Sequence, residues 1–220
     1  MNKRMAILNT RGLANKITLS TTKMWEYQIN YMFVCETKYN TVRDTTSHPF
    51  IAASSRPPRG INEMRPTKHG CALLSSNAWQ RVWKNHITVI ATDTDGQFLV
   101  WNEDGVQFIG LYLPPMNSPE SKSVALDIID RAFEAANRRP RQHRIVCGDL
   151  NINIDHTATA ERDYTIANGY QRDVMARLEE LGLFPIAPSE GQYTRFDHPA
   201  DEVGSCIDHF LCNYQAWTDL

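Results

Sequence analysis

The stretch Ile145-Val146-Cys147-Gly148-Asp149-Leu150-Asn151 decides how this sequence folds. Its first three residues are apolar, which is typical of a buried strand, whereas the acid and the amide that follow are polar. Loops that follow the strands of a rigid scaffold are frequent sites of ligand binding. The segment therefore predicts a core strand that ends near Asp149 and places Asn151 just beyond it.

Polar residues also end the other apolar runs. Strand-like runs occur at residues 5–8, 31–35, 71–75, 86–91, 97–101, 106–113 and 207–212. Asn9 ends the first run and Glu36 the second; Tyr112 lies near the end of another, and Asp208 lies inside the last. Each residue taken alone could simply form a turn. Because strand ends can converge on one rim of a sandwich, the set is a candidate for one site.

Helical signals are fewer than strand signals. Ser118-Pro119-Glu120 predicts a helix start, with an N-cap serine, a proline at the first helical position and an acid in the first turn. The apolar face of this helix carries Val124, Ile128, Ala132 and Ala136. Further helices are predicted over residues 19–30, with Leu19, Trp25 and Ile29 as apolar positions, and over residues 170–181, with Gly182 as the stop.

The arrangement of these elements indicates the fold class. Many strands with few helices and no regular βαβ alternation favour an α+β layered sandwich. Residues 40–69 contain four prolines and no long apolar run, which predicts a long surface loop or a pair of loops. We find no linker that would divide the chain, so residues 1–220 are predicted to form a single domain.

The composition is that of an ordinary globular protein. The chain has 220 residues, a net charge of −2, 42% hydrophobic residues and 22% charged residues. No run approaches the roughly 20 apolar residues that cross a bilayer. The five cysteines are scattered and odd in number, which predicts reduced core residues of an intracellular protein. A basic cluster at residues 138–144 could contact a nucleic-acid backbone, or could be a solvated helix end favoured by the helix dipole.

The residues at the strand ends share one kind of metal chemistry. Asn, Glu and Asp side chains offer hard oxygen donors, which suit magnesium or manganese and are poor ligands for zinc. Magnesium sites usually join one or two carboxylates to a substrate phosphate. The sequence therefore indicates a metal-dependent reaction at a phosphate as one hypothesis.

Five short segments together resemble the endonuclease/exonuclease/phosphatase superfamily, whose fold is that of DNase I. They occur in family order: Asn9-Thr10-Arg11-Gly12-Leu13, Glu36-Thr37-Lys38, Leu111-Tyr112-Leu113-Pro114-Pro115, Gly148-Asp149-Leu150-Asn151 and Ser205-Cys206-Ile207-Asp208-His209. The resemblance implies a four-layer α/β/β/α sandwich of the DNase I-like type.

The same resemblance implies roles for individual residues. Glu36 would bind Mg²⁺ or Mn²⁺, and Asn9 would support the metal. Asp149 would act on the attacking water or the leaving oxygen, while Asn151 and Tyr112 would hold the scissile phosphate. Asp208 would orient a catalytic histidine. Thr194 and Arg11 are implied as substrate contacts.

One departure from the family pattern concerns the end of the chain. The family closes with a Ser-Asp-His segment roughly two dozen residues after the position of Asp208, and only 12 residues follow it here. We therefore expect a C-terminally truncated domain that lacks its last strand and cleaves poorly. A degenerate, inactive copy is the other explanation. His209 neighbours Asp208 on a strand, so its side chain is predicted to point to the opposite face.

Several functional assignments are compatible with this sequence. The Asn-x-Arg-Gly-Leu, Tyr-x-Pro-Pro and Ser-x-Ile-Asp-His patterns most resemble the DNA-nicking endonuclease domain of non-LTR retrotransposons. This resemblance implies DNA as the substrate, a downstream reverse transcriptase in the same polyprotein, no membrane partner and a nuclear location. Abasic-site endonucleases, small-molecule phosphatases and a degenerate nucleic-acid-binding copy are the alternatives.

Overall fold

The computed structural model describes residues 4–13, 16–38, 50–54, 70–75, 86–155, 164–187 and 206–219. They form two β-sheets. The first sheet has the strand order β1 (Met5–Asn9), β2 (Tyr31–Cys35), β4 (Cys71–Ser75) and β3 (Phe50–Ser54). The second has the order β5 (Ile87–Thr92), β6 (Phe98–Glu103), β7 (Val106–Tyr112), β8 (His143–Asp149), β10 (Asp208–Asn213) and β9 (Leu183–Pro185). Within the described ranges the helices are α1 (Ile17–Glu26), α2 (Pro119–Asn137), α3 (Gly169–Glu180) and α4 (Tyr214–Asp219).

Two parallel strand pairs interrupt an otherwise antiparallel arrangement. In the first sheet β1 runs parallel to β2, with Asn9 opposite Cys35. In the second sheet β7 runs parallel to β8, with Tyr112 opposite Asp149. Since the carboxyl ends of parallel strands lie at the same edge, each pair delivers two strand-end loops to one edge of its sheet.

The two sheets pack face to face through an aromatic core. The ring of Trp101 stacks on that of Phe108, with centroids 5.2 Å apart, and on that of Phe33 at 6.1 Å. Gly110 on β7 permits this contact, because an added Cβ there would lie 2.2 Å from the Phe33 ring. Trp101 and Phe33 are fully buried, so the interface between the sheets is a true core.

Helices cover the outer faces of both sheets. Ile128 of α2 and Val174 of α3 pack with Ile109 and Val146 of the second sheet. Met24 of α1 packs with Val34 of the first sheet. The layers therefore run helix, sheet, sheet, helix, and the predicted α/β/β/α sandwich is confirmed.

Most predicted strands and helices are present, and the exceptions are informative. Strand β3 lies inside the predicted loop 40–69, the rest of which falls outside the described residues. Strand β9 and helix α4 have only three and six residues, too few to produce a periodic signal.

The predicted apolar face of the first helix is wrong. Leu19 is 57% exposed and Trp25 81% exposed, and α1 ends before Ile29. The buried positions are Ser20 and Met24, which lie four residues apart and therefore share one helical face.

Two expectations from composition can be compared with the structure. All five cysteines are buried free thiols. None of the helices in the described ranges is long and apolar enough to cross a membrane.

The predicted start of α2 is confirmed and can be tested by mutation. Ser118 accepts a hydrogen bond from the Ser121 backbone N–H, and the Ser121 hydroxyl accepts one from the Ser118 N–H in return. We expect Ser118→Ala to lower the free energy of unfolding by about 1 kcal/mol, and Ser118→Gly by only a few tenths. Urea denaturation of both variants checks this. Equal losses in the two variants would contradict the capping role.

Candidate functional site

The predicted strand-end residues meet where the two sheets approach each other. Asn9 ends β1 and Glu36 follows β2, while Tyr112 ends β7 and Asp149 ends β8. Parallel pairing brings together the ends of β1 and β2 in one sheet and of β7 and β8 in the other. Hydrogen bonds between the two sheets place all four side chains on the same rim of the sandwich. We call this edge the site rim.

The Asn9 amide joins the two acids of the site rim. Its Nδ2 donates to Glu36 Oε1 at 3.0 Å and to Asp149 Oδ2 at 2.8 Å. The two carboxylates therefore lie well within the about 10 Å expected for a site that holds a phosphate through a metal ion. Asn9 and Asp149 are 140 residues apart in sequence, so only the packing of one sheet on the other creates this contact.

Tyr112, on the second sheet, contacts Glu36. Its hydroxyl donates to Glu36 Oε1 at 3.1 Å. Burial raises the pKa of Tyr112 well above its ordinary value, and the nearby Glu36 and Asp149 carboxylates raise this pKa further. The hydroxyl therefore remains a neutral hydrogen-bond donor at physiological pH.

The loop after β8 fixes the positions of Asp149 and Asn151. The Asn151 backbone N–H donates to Asp149 Oδ1 at 3.1 Å, and its side-chain Nδ2 donates to the Leu113 carbonyl at 2.7 Å. An amide NH₂ group has two hydrogens, so this contact leaves one for a further acceptor. Gly148 precedes Asp149 at φ +142°, where an added Cβ would lie 1.9 Å from the Leu111 carbonyl oxygen.

Asp208 lies beside Asp149 on the neighbouring strand. The two residues are directly opposite each other in the antiparallel pair of β10 and β8, so their side chains leave the same face. The next residue, His209, is buried, and its Nε2 lies 2.7 Å from the Ile152 carbonyl. His209 lies on the face opposite Asp208, as the alternation along the strand predicted, and there it contacts the loop after β8.

Backbone strain is concentrated at the site rim. Six described non-glycine residues have positive φ, and four of them are Arg11, Glu36, Lys38 and Asn151, at φ +46° to +49°. Each such residue costs on the order of 1–3 kcal/mol and persists only where its surroundings enforce it. Here they are enforced by hydrogen bonds between the loops, such as Gly12 N–H to the Glu36 carbonyl at 2.8 Å.

Two further residues shape the site without having been assigned a role from sequence. Thr10 is buried, and its hydroxyl donates to the Cys35 and Glu36 carbonyls at 3.0 and 3.2 Å. Lys38 Nζ lies 3.9 Å from Glu36 Oε2. Both belong to motifs already quoted, so proximity to Asn9 and Glu36 in the chain was the available signal.

Of the two predicted substrate contacts, the structure describes only Arg11. Arg11 is exposed beside Asn9, whose Oδ1 accepts its backbone N–H at 3.1 Å. Thr194 lies outside the described residues.

The oxygen donors of the site rim suit a small hard cation. Glu36 and Asp149 place two carboxylates around a single amide, and divalent magnesium or manganese favours such donors. In the described ranges, no three His, Cys, Asp or Glu side chains form a preassembled metal cluster. Magnesium commonly completes its coordination with water and substrate phosphate, so the two carboxylates are sufficient protein ligands for Mg²⁺ or Mn²⁺.

The sequence matches a known protein family over most of its length. The profile described as Endonuclease/Exonuclease/phosphatase family matches residues 10–220. No curated protein matches the sequence significantly.

Three solved structures share the fold at low sequence identity. An AP endonuclease from Archaeoglobus fulgidus is 14% identical, with a TM-score of 0.65, over 96% of this chain and 87% of that chain. The 3′ phosphatase NExo from Neisseria bound to product DNA hairpin is 15% identical, with a TM-score of 0.66, over 97% and 87%. The 3′-5′ exonuclease NExo from Neisseria meningitidis is 15% identical, with a TM-score of 0.65, over 95% and 86%.

Proposed function

The chain belongs to the endonuclease/exonuclease/phosphatase family, and on that premise we propose that it is a metal-dependent, DNA-nicking phosphodiesterase. We further propose that it is the endonuclease domain of a non-LTR retrotransposon polyprotein.

One observation carries the proposal of phosphodiester hydrolysis. Glu36 and Asp149 come from different sheets, yet both accept hydrogen bonds from the Asn9 amide. Two adjacent carboxylates repel each other, and a single neutral amide offsets only part of that repulsion. The arrangement supports a place where a divalent cation and a phosphate meet.

Glu36, with Asn9 in support, would hold Mg²⁺ or Mn²⁺. When bound there, the ion would neutralise negative charge on the phosphate oxygens. Asp149 would orient the attacking water or receive its proton, since Oδ1 and Oδ2 are held by Asn151 and Asn9 in a fixed direction.

Tyr112 and Asn151 would position the phosphate. The Tyr112 hydroxyl stays protonated, and its single hydrogen, which is donated to Glu36 in this structure, would turn to the phosphate when Glu36 binds the metal. One hydrogen of the Asn151 amide remains for an acceptor, and because Leu113 holds this amide in place, it would stabilise developing charge without reorganisation during the reaction.

DNA as the substrate is supported by the shared fold. The Neisseria 3′ phosphatase of the same architecture was solved with a product DNA hairpin. The retrotransposon assignment rests on the Asn-x-Arg-Gly-Leu, Tyr-x-Pro-Pro and Ser-x-Ile-Asp-His patterns of this sequence. On the basis of this assignment we also propose a fused reverse transcriptase and a nuclear location.

Three substrates distinguish the proposed function from its alternatives. The full-length protein, with Mn²⁺, should nick intact supercoiled DNA. Cleavage confined to duplexes with an abasic site would indicate a repair endonuclease instead. Phosphate release from monoesters without nicking would indicate a phosphatase, and DNA binding without any cleavage would indicate a degenerate copy.

Metal binding by Glu36 is testable without any cleavage. We expect Glu36→Gln to weaken Mn²⁺ binding at least about tenfold in a calorimetric titration, because it removes the negative charge that a hard cation requires. Glu26→Gln is the matched control, since Glu26 is exposed on α1 and paired with Lys23. Equal Mn²⁺ affinity in the wild type and Glu36→Gln would remove Glu36 from the metal site.

A further inference from the structure

We propose that the basic loop, residues 138–142, binds the phosphodiester backbone of nucleic acid at the end of the sandwich opposite the site rim. This loop connects α2 to β8. Strand β8 runs from His143 beside the loop to Asp149 at the site rim. Since a strand rises about 3.3 Å per residue, the two ends lie about 20 Å apart. The loop therefore contacts a part of the nucleic acid other than the scissile phosphate.

The arginines of the basic loop differ from those of the neighbouring helices. Arg131 binds the carboxylates of Asp127 and Asp93, and Arg177 binds those of Asp130 and Glu180. The three arginines of the basic loop are exposed, and none forms an ion pair with any residue in the described ranges; they are Arg138, Arg139 and Arg141.

No acid in the described ranges forms an ion pair with the arginines of the basic loop. The acids on adjacent elements are Glu134, exposed one turn before Arg138 on α2, Asp219, whose Oδ2 lies 2.9 Å from His143 Nε2, and Asp104, whose Oδ1 lies 3.0 Å from His86 Nδ1. The loop thus presents three positive charges together on a chain whose net charge is only −2.

The conformation of the loop is fixed at both ends by amide side chains from the second sheet. Gln107 is fully buried on β7, and its Nε2 donates to the Ala136 and Arg139 carbonyls at 2.9 and 3.0 Å. At the other end, Asn213 Nδ2 donates to the Gln142 carbonyl at 2.7 Å. A loop whose backbone is already ordered loses less conformational entropy when it binds a ligand.

The helix dipole accounts for only part of this cluster. It favours positive charge at the carboxyl end of a helix and falls off within about one turn, so it favours Arg138 and Arg139 but does not explain Arg141. Arg138 is the C-cap, and Arg139 and Arg141 lie beyond it. Guanidinium groups match the geometry of phosphate oxygens, which makes a phosphodiester backbone the fitting ligand class.

Salt-dependent binding tests the proposal without requiring cleavage. The affinity of the full-length protein for a long duplex of random sequence is measured in EDTA between about 50 and 200 mM salt. Each lost phosphate contact should make the plot of log affinity against log salt shallower by about 0.9. Arg139→Gln combined with Arg141→Gln should therefore reduce the slope by about 1.8.

Two further variants separate a binding surface from general effects. Lys23→Gln combined with Arg177→Gln removes the same charge from positions already paired with acids, and should keep the wild-type slope. Arg139→Lys combined with Arg141→Lys keeps the charge and should keep the slope as well. The proposal is overturned if the slope is unchanged in the Arg139→Gln, Arg141→Gln variant. It is also overturned if the slope falls equally in the Lys23→Gln, Arg177→Gln control, or if it falls in the Arg139→Lys, Arg141→Lys variant.

Discussion

Replacement of Asp149 by asparagine should lower the rate of DNA nicking by the full-length protein about a hundredfold or more. Asparagine preserves the size of the side chain but removes its negative charge and half of its acceptor capacity. The contacts of Asp149 with Asn9 and Asn151 both use carboxylate oxygens, so the substitution also disturbs the network that aligns the site. Conversion of supercoiled plasmid to open circles, followed with time, measures the effect.

Asp130→Asn is the matched control for this substitution. Asp130 is an exposed carboxylate on α2 whose partner is Arg177, so its loss should leave nicking unchanged. Nicking by Asp149→Asn within tenfold of the wild type would show that another group performs the proposed work of Asp149. An equal loss in Asp130→Asn would show that the assay reports general damage to the protein.

Replacement of Gly148 by alanine should lower the free energy of unfolding by about 3 kcal/mol or more. Two costs add here: a backbone conformation that L-residues rarely adopt, and a Cβ placed 1.9 Å from the Leu111 carbonyl oxygen. For a chain of this size such a loss corresponds to a fall in Tm of at least about 6 °C. Thermal unfolding followed by circular dichroism measures it.

Gly182→Ala separates the two costs. Gly182 also has a positive φ, +77°, but an added Cβ there would meet no atom within 4 Å. Its substitution should therefore cost only about 1 kcal/mol. If the two alanine variants unfold at the same temperature, the close approach of β7 and β8 at Gly148 is not a tight constraint.

Local patterns in the sequence were sufficient to identify most of the strands. Runs such as Tyr31–Cys35 and Val106–Tyr112 are entirely buried, and continuous apolar character predicts such strands directly. The first helix shows the limit of this reasoning. Leu19 and Trp25 are apolar yet exposed, because the rotation of α1 about its axis is set by its contacts with the first sheet rather than by its own composition.

The candidate site was likewise predicted only in part from local sequence patterns. The sequence placed Asn9, Glu36, Tyr112 and Asp149 at strand ends, and the resemblance to a family suggested that they act together. Neither source indicated that one amide bridges both carboxylates, or that His209 is committed to the Ile152 carbonyl. The positive φ of Glu36 and Asn151 was also invisible, since neither residue type requires it.

The sequence by itself determined the layered fold class, the buried strands and the oxygen-rich residues at their ends. These properties depend on hydrophobic periodicity and side-chain chemistry, which are local. Only the tertiary structure decided which strand ends meet and how the arginines of residues 138–142 are presented. Those outcomes depend on strand register and sheet packing between residues as far apart as Asn9 and Asp149, which no local pattern encodes.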